Sequence, residues 1–227
     1  MNAGTPPRCH TRLPAFVLIA AGALSALTMA FHPAAEGTDA QARLHSLAAI
    51  SSLSLHVHLA MIGFVVAQWL SLAYLTRLWP ASGWVWLAAR LYAIGAGAML
   101  GAALVSGFVT GAYLGRALPA VSSAQEALPP VLLAYSANQA LAGFGTVFIS
   151  LAILLWSARL IHGPGRLARL CGAYGIVAGA LCVAAYAGGV LTLDVAGMTA
   201  VVGAHGVWFC LLGACALRRD RRTPATH

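Results

Sequence analysis

Residues 131–155, VLLAYSANQALAGFGTVFISLAILL, form an apolar stretch without a single charged side chain. The hydrocarbon core of a bilayer is about 30 Å thick, and roughly 20 helical residues cross it. A segment in lipid must satisfy its own backbone hydrogen bonds, which a helix does. The stretch also lacks the strict apolar–polar alternation of a membrane β-strand. It therefore predicts a transmembrane helix.

Five other stretches have the same character. The 227 residues are 60% apolar and only 8% charged, and their mean hydropathy is +0.83. A soluble domain carries roughly a quarter charged residues, so this chain has too few to cover a surface in water. The sequence predicts an all-α, polytopic membrane helix bundle that forms a single domain over residues 1–227. Its six transmembrane helices are expected at residues 13–31, 53–75, 91–114, 131–155, 170–191 and 196–217.

The arginines indicate the orientation of the bundle. All 13 basic residues are arginine, and most lie before helix 1, after helix 6, or between helices 2 and 3 and helices 4 and 5. The alternate connections carry only Arg43 and Arg116, together with acidic residues. Because basic residues accumulate on the cytoplasmic side, both termini are predicted to be cytoplasmic. Arginines at helix ends are typical of anchors to phospholipid headgroups, which disfavours nucleic-acid binding.

The first helix and two connections carry local predictions. Residues 13–31 exceed the apolar core of a signal peptide, which is roughly 7–15 residues, so a retained helix is favoured. Asp39 is a candidate N-cap for an early extension of helix 2. Residues 115–130 contain three prolines and are expected to form a surface loop with little helix. The five cysteines form no CxxC motif and indicate neither a disulfide nor a metal knuckle.

Small residues recur at a spacing of four in helices 3 and 5. In lipid, helices associate largely through close backbone approach, which small residues permit. Helices 3 and 5 are therefore predicted to form the interior of the bundle. The alternative is a contact face for a second copy of the chain or for another membrane protein. The residues are Gly97, Gly101, Gly107, Gly111, Gly115, Gly175, Gly179, Ala184 and Gly188.

Polar side chains collect at one depth, in the half of the membrane away from the predicted cytoplasmic side. Burying such groups in lipid without partners costs on the order of kilocalories per group, so they should face inward. Two interpretations stay open: a hydrogen-bond network that only fixes the bundle, and a polar pocket that opens outward. The residues are His56, His58, Ser106, Thr110, Tyr135, Asn138, Gln139, Tyr186 and His205.

Three hypotheses for function follow from this polar layer. In the first, a small polar solute or ion binds in, or passes through, a pocket formed by His56, His58, Asn138, Gln139 and His205. In the second, His58 and His205 ligate a haem or a transition metal across helices 2 and 6. His56 and His58 cannot both ligate one metal, because residues two apart on a helix point about 200° apart. In the third, the protein is an accessory subunit and the polar layer is structural.

No catalytic constellation is visible in the sequence. The segment Ala204-His205-Gly206 resembles the histidine helix of rhomboid-type intramembrane proteases. That family carries Gly-x-Ser-Gly on helix 4, where this chain has Gly143-Phe144-Gly145-Thr146. Ser150 lacks the flanking glycines that make room for an oxyanion donor. The sequence therefore favours a non-enzymatic role, and without an internal repeat it does not indicate an inverted-repeat transporter.

Two short motifs carry a family resemblance. Phe31-His32-Pro33 ends helix 1, and His58-Leu59-Ala60-Met61-Ile62-Gly63 runs along helix 2. In these residues the first third of the chain resembles a group of uncharacterised bacterial six-helix membrane proteins, which share an HP after helix 1 and a His-Leu start to helix 2. The resemblance implies a location in the bacterial cytoplasmic (inner) membrane, and it implies no activity.

Overall fold

The computed structural model describes residues 9–78, 83–117 and 124–222. Within these ranges it contains helices and no strand. The joined α4, π-helical turn and α5 form one long helix without a break. The elements are α1 (Cys9–Ala30), α2 (Ala40–Ala49), α3 (Ser51–Leu78), α4 (Gly83–Leu104), the π-helical turn (Val105–Val109), α5 (Thr110–Ala117), α6 (Ala124–Leu160), α7 (Arg166–Ala187) and α8 (Val195–Arg222).

Six helices of the described part are long and apolar enough to cross a membrane. They are α1, α3, the joined α4–α5 helix, α6, α7 and α8, and each overlaps one of the six predicted stretches. The all-α class and the six spans are therefore confirmed, and the chain is a multi-pass membrane protein. Its surface agrees with this class, because large apolar side chains such as Leu133, Leu181 and Leu70 are exposed where lipid would cover them.

The connection before α6 differs from its prediction. α5 continues to Ala117 and α6 begins at Ala124, so the expectation of little helix over residues 115–130 is wrong, and Pro119 lies outside the described residues. Pro129 and Pro130 lie inside α6, although each removes an N–H that would bond four residues back. The two carbonyls that lose these partners are in the first turn, next to exposed Glu126, where water can bond them.

Asp39 caps α2, as predicted. Its carboxylate accepts a hydrogen bond from the backbone N–H of Ala42 at 2.8 Å. α2 is nevertheless a separate helix and not an extension of the span, because the α-helix is interrupted at Ile50 before α3 begins. Leu44 of α2 is buried against Leu114 of α5 and against α6. The short helix therefore covers one end of the bundle.

The most deeply buried span is α6. In its most apolar window, 56% of the residues are buried, against 22% for the joined α4–α5 helix and 28% for α7. The prediction that helices 3 and 5 form the interior is therefore wrong. Some of their glycines mark contacts with α6: a Cβ atom at Gly95 would lie 2.9 Å from the backbone nitrogen of Ile149, whereas Gly97 has nothing within 4 Å.

Glycines also join α1 to α8. A Cβ atom at Gly206 would lie 2.7 Å from the carbonyl oxygen of Gly22, and one at Gly213 would lie 2.7 Å from that of Ala15. Leu18 of α1 is fully buried in the same core cluster as Trp208 of α8. This packing makes α1 part of the core of the bundle.

Candidate functional site

A cavity of about 980 Å³ lies among α1, α3, the joined α4–α5 helix, α6 and α8. The segment after α1 contributes Glu36 to one end of it, and α2 contributes Arg43; both side chains are exposed. At the other end the lining includes Gln68 and His205, which are buried near the middle of their spans. The cavity therefore runs from the end of the bundle that carries α2 into its centre.

Four of the five residues predicted to form a pocket line this one cavity. They are His58 of α3, Asn138 and Gln139 of α6, and His205 of α8. His56 does not line it, because its side chain is exposed and its Nδ1 bonds the carbonyl of Ser52 at 2.7 Å. Among the other residues of the predicted polar layer, Ser106, Thr110 and Tyr135 also line the cavity.

The π-helical turn shapes the wall of the cavity beside His58. Gly107 lies within this turn, and a Cβ atom there would lie 2.5 Å from the Cβ of His58. The carbonyl of Val105 accepts the backbone N–H of Thr110, five residues on, and also the hydroxyl of Thr110 at 2.9 Å. Single π turns occur frequently at functional sites, and this one brings α3 against the bulged helix.

His32 is a site residue that the polar-layer argument missed. Its ring contacts that of His58 edge to face, with centroids 5.0 Å apart. Nδ1 of His32 bonds the carbonyl of Pro33 at 2.8 Å, and Nδ1 of His58 bonds that of Ser54 at 2.7 Å. A carbonyl only accepts, so both Nδ1 atoms carry the proton and both Nε2 atoms are acceptors. The HP motif was the available signal for His32, although its position outside the helices concealed its depth.

The environment of His32 keeps its imidazole neutral. Burial lowers its pKa, and this effect outweighs the opposing hydrogen bond to Pro33. Asp194, immediately before α8, is instead favoured in its charged form. Hydrogen bonds from the backbone N–H of Gly197 and from the hydroxyl of Thr192 lower its pKa. The cavity is therefore bordered by a neutral histidine and by a fixed negative charge.

His205 is buried, and although it lines the cavity its Nε2 is already hydrogen-bonded. That atom lies 3.0 Å from the hydroxyl oxygen of Ser150, so the ring joins α8 to α6. Ser150 is fully buried and is not part of the cavity lining. Within the described residues, no group of three or more His, Cys, Asp or Glu is arranged to hold a metal.

A closed hydrogen-bond network forms the floor of the cavity. The side-chain amide of Gln68 donates to the hydroxyl of Ser25 at 3.3 Å and to the carbonyl of Ala21 at 3.2 Å. Its carbonyl accepts from the hydroxyl of Tyr92 at 3.1 Å. Tyr92 belongs to the core cluster that contains Trp208 and packs edge to face against Phe209. The floor thus rests on close-packed side chains.

The neighbouring amides Asn138 and Gln139 have different environments. Gln139 donates to the carbonyl of Leu193 at 3.0 Å, which ties α6 to the connection between α7 and α8. Asn138 is partly buried and has no side-chain hydrogen bond to any residue of the described ranges. Its amide can therefore donate to and accept from a bound molecule.

The comparisons with known proteins identify no family for this chain. No protein-family model, no curated protein and no solved structure matches this chain. The fold and the cavity define a multi-pass, six-span membrane protein with a large internal site, and the family suggested by the two short motifs stays a prediction.

Proposed function

We propose that this protein binds a small molecule in the cavity beneath α2, and that the molecule is mainly apolar with one or more polar groups. This ligand class differs from the small polar solute or ion expected from the sequence. Small-molecule sites are typically clefts of about 300–1,000 Å³, lined mostly by apolar side chains with a few placed polar groups. The cavity, at about 980 Å³, falls in that range.

The observation that carries the proposal is the composition of the wall. All four methionines of the described part, Met29, Met61, Met99 and Met198, line this cavity. Methionine is flexible and polarisable, and it is over-used at binding surfaces that adapt to their ligand. A wall of this kind suits an organic molecule better than a hydrated ion.

The polar groups lie where they can orient such a molecule. Asn138 offers both an amide N–H and a carbonyl, and His58 offers an acceptor at Nε2. The carboxylate of Asp194 lies in the lining near the α2 end. These groups come from α6, from α3 and from the residue before α8, so a ligand that contacts all three would span the cavity.

The floor supports binding over passage. Gln68 is engaged at both its amide and its carbonyl, and the buried rings of Tyr92, Trp208 and Phe209 lie in the same core cluster. A solute that crossed the protein would have to break this network and displace close-packed rings. The protein in this conformation therefore acts as a binding site open at one end.

The experiment is to identify what the purified protein carries. The protein is isolated in mild detergent, denatured, and its small molecules are identified by mass spectrometry. Ala103 lines the cavity, so Ala103→Trp should abolish the bound species. Ala180 is exposed on α7, so Ala180→Trp should retain it. A wild-type sample without any bound small molecule, or equal retention by both folded variants, would contradict the proposal.

A transition metal is the second candidate, and the histidine pair favours it. Metal-ligating histidines usually donate their other ring nitrogen to a carbonyl or carboxylate, and His32 and His58 both do so. For this candidate we infer His58 with His32 as ligands in place of the expected His58 with His205, and thioethers of the cavity would complete a site for a soft metal. Elemental analysis of the same purified sample decides this candidate, and an absorbance spectrum without a Soret band would exclude haem.

The third hypothesis, an accessory subunit, makes a different prediction. It expects a membrane partner at fixed stoichiometry, bound through the glycine-rich helices 3 and 5, and no effect of Ala103→Trp on function. For the location we propose the bacterial inner membrane. The support is the distribution of arginines and the HP and His-Leu motifs, and it makes the α2 end of the bundle face outward.

A further inference from the structure

A second cavity, of about 720 Å³, lies at the opposite end of the bundle from α2. It is formed by the end of α6, the connection to α7, the start of α7 and the end of α8. Among the residues whose side chains the structure describes, no aspartate or glutamate is part of its lining. Five arginines line it, and they are Arg159, Arg166, Arg169, Arg218 and Arg219.

These five guanidinium groups have no anionic partner in the described part of the chain. None of them forms an ion pair or a side-chain hydrogen bond to a residue of the described ranges, and all five are exposed. Guanidinium groups held around one cavity repel each other. An anion that contacted several of them would relieve this repulsion and form charge-assisted hydrogen bonds, which are often bidentate for phosphate.

The start of α7 adds backbone donors to the same cavity. Gly165 precedes the helix with a φ of 99° and provides no side-chain cap. The first N–H that bonds back to this residue is that of Arg169, at 3.3 Å. The N–H groups of Arg166, Leu167 and Ala168 therefore have no acceptor within the helix, and all three residues line the cavity. Such a helix start attracts anions through its free N–H groups and its dipole.

Trp156 supplies an independent sign of a ligand. It lines the cavity and is only 1% exposed, yet its indole N–H has no hydrogen-bond partner among the described residues. Its neighbour Trp208, whose ring lies 6.0 Å away, instead donates its indole N–H to the hydroxyl of Ser157 at 2.9 Å. Buried donors are nearly always satisfied, so this unpaired N–H, on a residue of the cavity lining, is an exception.

We propose that this arginine cavity binds a phosphate group. The source is either the headgroup of an anionic phospholipid in the adjacent leaflet or a soluble phosphate compound. The arginines provide the charge, the start of α7 provides directed N–H donors, and Trp156 of the lining carries a buried N–H without a partner among the described residues. The proposal concerns the end of the bundle opposite the methionine-lined cavity, and it does not depend on the function proposed there.

The test measures binding of two probes to the full chain. Native mass spectrometry and thermal unfolding are recorded with phosphatidylglycerol in the detergent micelle, with phosphatidylcholine as the zwitterionic comparison. A second arm uses inorganic phosphate against chloride at equal ionic strength. Saturable binding of phosphatidylglycerol alone identifies a lipid site, and saturable binding of inorganic phosphate identifies a site for a soluble ligand. Binding of neither probe overturns the proposal.

Matched variants distinguish binding in this cavity from a general effect of positive charge on the protein. Arg166→Gln with Arg169→Gln should weaken binding by about tenfold or more, because charge-assisted hydrogen bonds are lost. Arg77 is exposed at the end of α3 and is not in the lining, so Arg77→Gln should leave affinity unchanged. Trp156→Phe removes the buried donor alone and should also weaken binding, which keeps the test decisive where the double variant fails to fold. Equal losses in Arg77→Gln and the cavity variants would overturn the proposal.

Discussion

His58 of α3 packs directly on Gly107 of the π-helical turn, where a Cβ atom would lie 2.5 Å from the Cβ of the histidine. This contact joins two helices at the wall of the methionine-lined cavity, and it leaves no space for a larger residue than glycine. The position of His58 in the cavity wall therefore depends on a glycine at position 107.

Gly107→Ala should therefore destabilise the protein. The added methyl group forces α3 or the π turn to move, and overpacking of this kind costs about 1–3 kcal/mol. The matched control is Gly97→Ala on the same long helix, because Gly97 has nothing within 4 Å. That change should alter the free energy of unfolding by less than about 1 kcal/mol, in the stabilising direction. Thermal or denaturant unfolding in detergent measures both, and equal effects would contradict the packing described here.

The floor network predicts non-additive losses. Gln68→Leu and Tyr92→Phe each remove the hydrogen bond between these side chains, which in membranes averages about 0.6 kcal/mol per pair. Gln68→Leu should cost more, roughly 1–2 kcal/mol, because Ser25 and the carbonyl of Ala21 also lose their donor. The double variant should be less destabilised than the sum of the two single variants. Strict additivity would mean that the two side chains do not interact.

Acidification should destabilise the protein through His32. Burial lowers its pKa in the folded state, so between that value and the ordinary value of 6.5 the unfolded chain binds more protons. Its stabilising contribution is complete above the ordinary value and is lost as the pH falls from there through the lower pKa of the folded state. Protonation would also place a charge against His58, whose ring centroid is 5.0 Å away, while Glu36, Asp194 and Arg43 line the same cavity.

The measurement is the melting temperature at pH values above and below 6.5. The wild-type protein should melt at a lower temperature at the acidic value, and His32→Gln should reduce that difference. His45 is exposed on α2, so His45→Gln serves as the control and should keep the wild-type pH dependence. A pH dependence that His32→Gln leaves intact would assign the effect to another group.

The six spans could be predicted because hydropathy depends on composition, which the sequence states directly. The interior helix could not be predicted from glycine spacing. Gly95 and Gly179 show why: small residues mark where two helices touch, here against α6, and do not indicate which helix is surrounded. The extension of α6 through Pro129 also escaped prediction, because the cost of a proline is small where water can bond the freed carbonyl.

That several polar side chains lie near one another could be predicted, since most of them line one cavity, but the direction of each side chain could not. His56 and His58 were known to face opposite ways, and only the packing of Gly107 determines that His58 is the inward one. His32 was missed since it follows α1, and the π turn has no sequence signature. The arginines 159–169 were interpreted as headgroup anchors, whereas the turn at Gly165 brings them to the arginines that end α8.

The most direct test of the central claim is the accessibility of Asn138 to a charged, membrane-impermeant thiol reagent in intact cells. Cysteines 171 and 182 are buried and 210 and 215 are partly buried, so the parent chain provides the background. Asn138→Cys should be labelled from outside, His162→Cys at the arginine-rich end only after permeabilisation, and lipid-facing Ala180→Cys in neither case. Asn138→Cys that stays unlabelled, or that is labelled only after permeabilisation, would contradict an outward-open binding cavity.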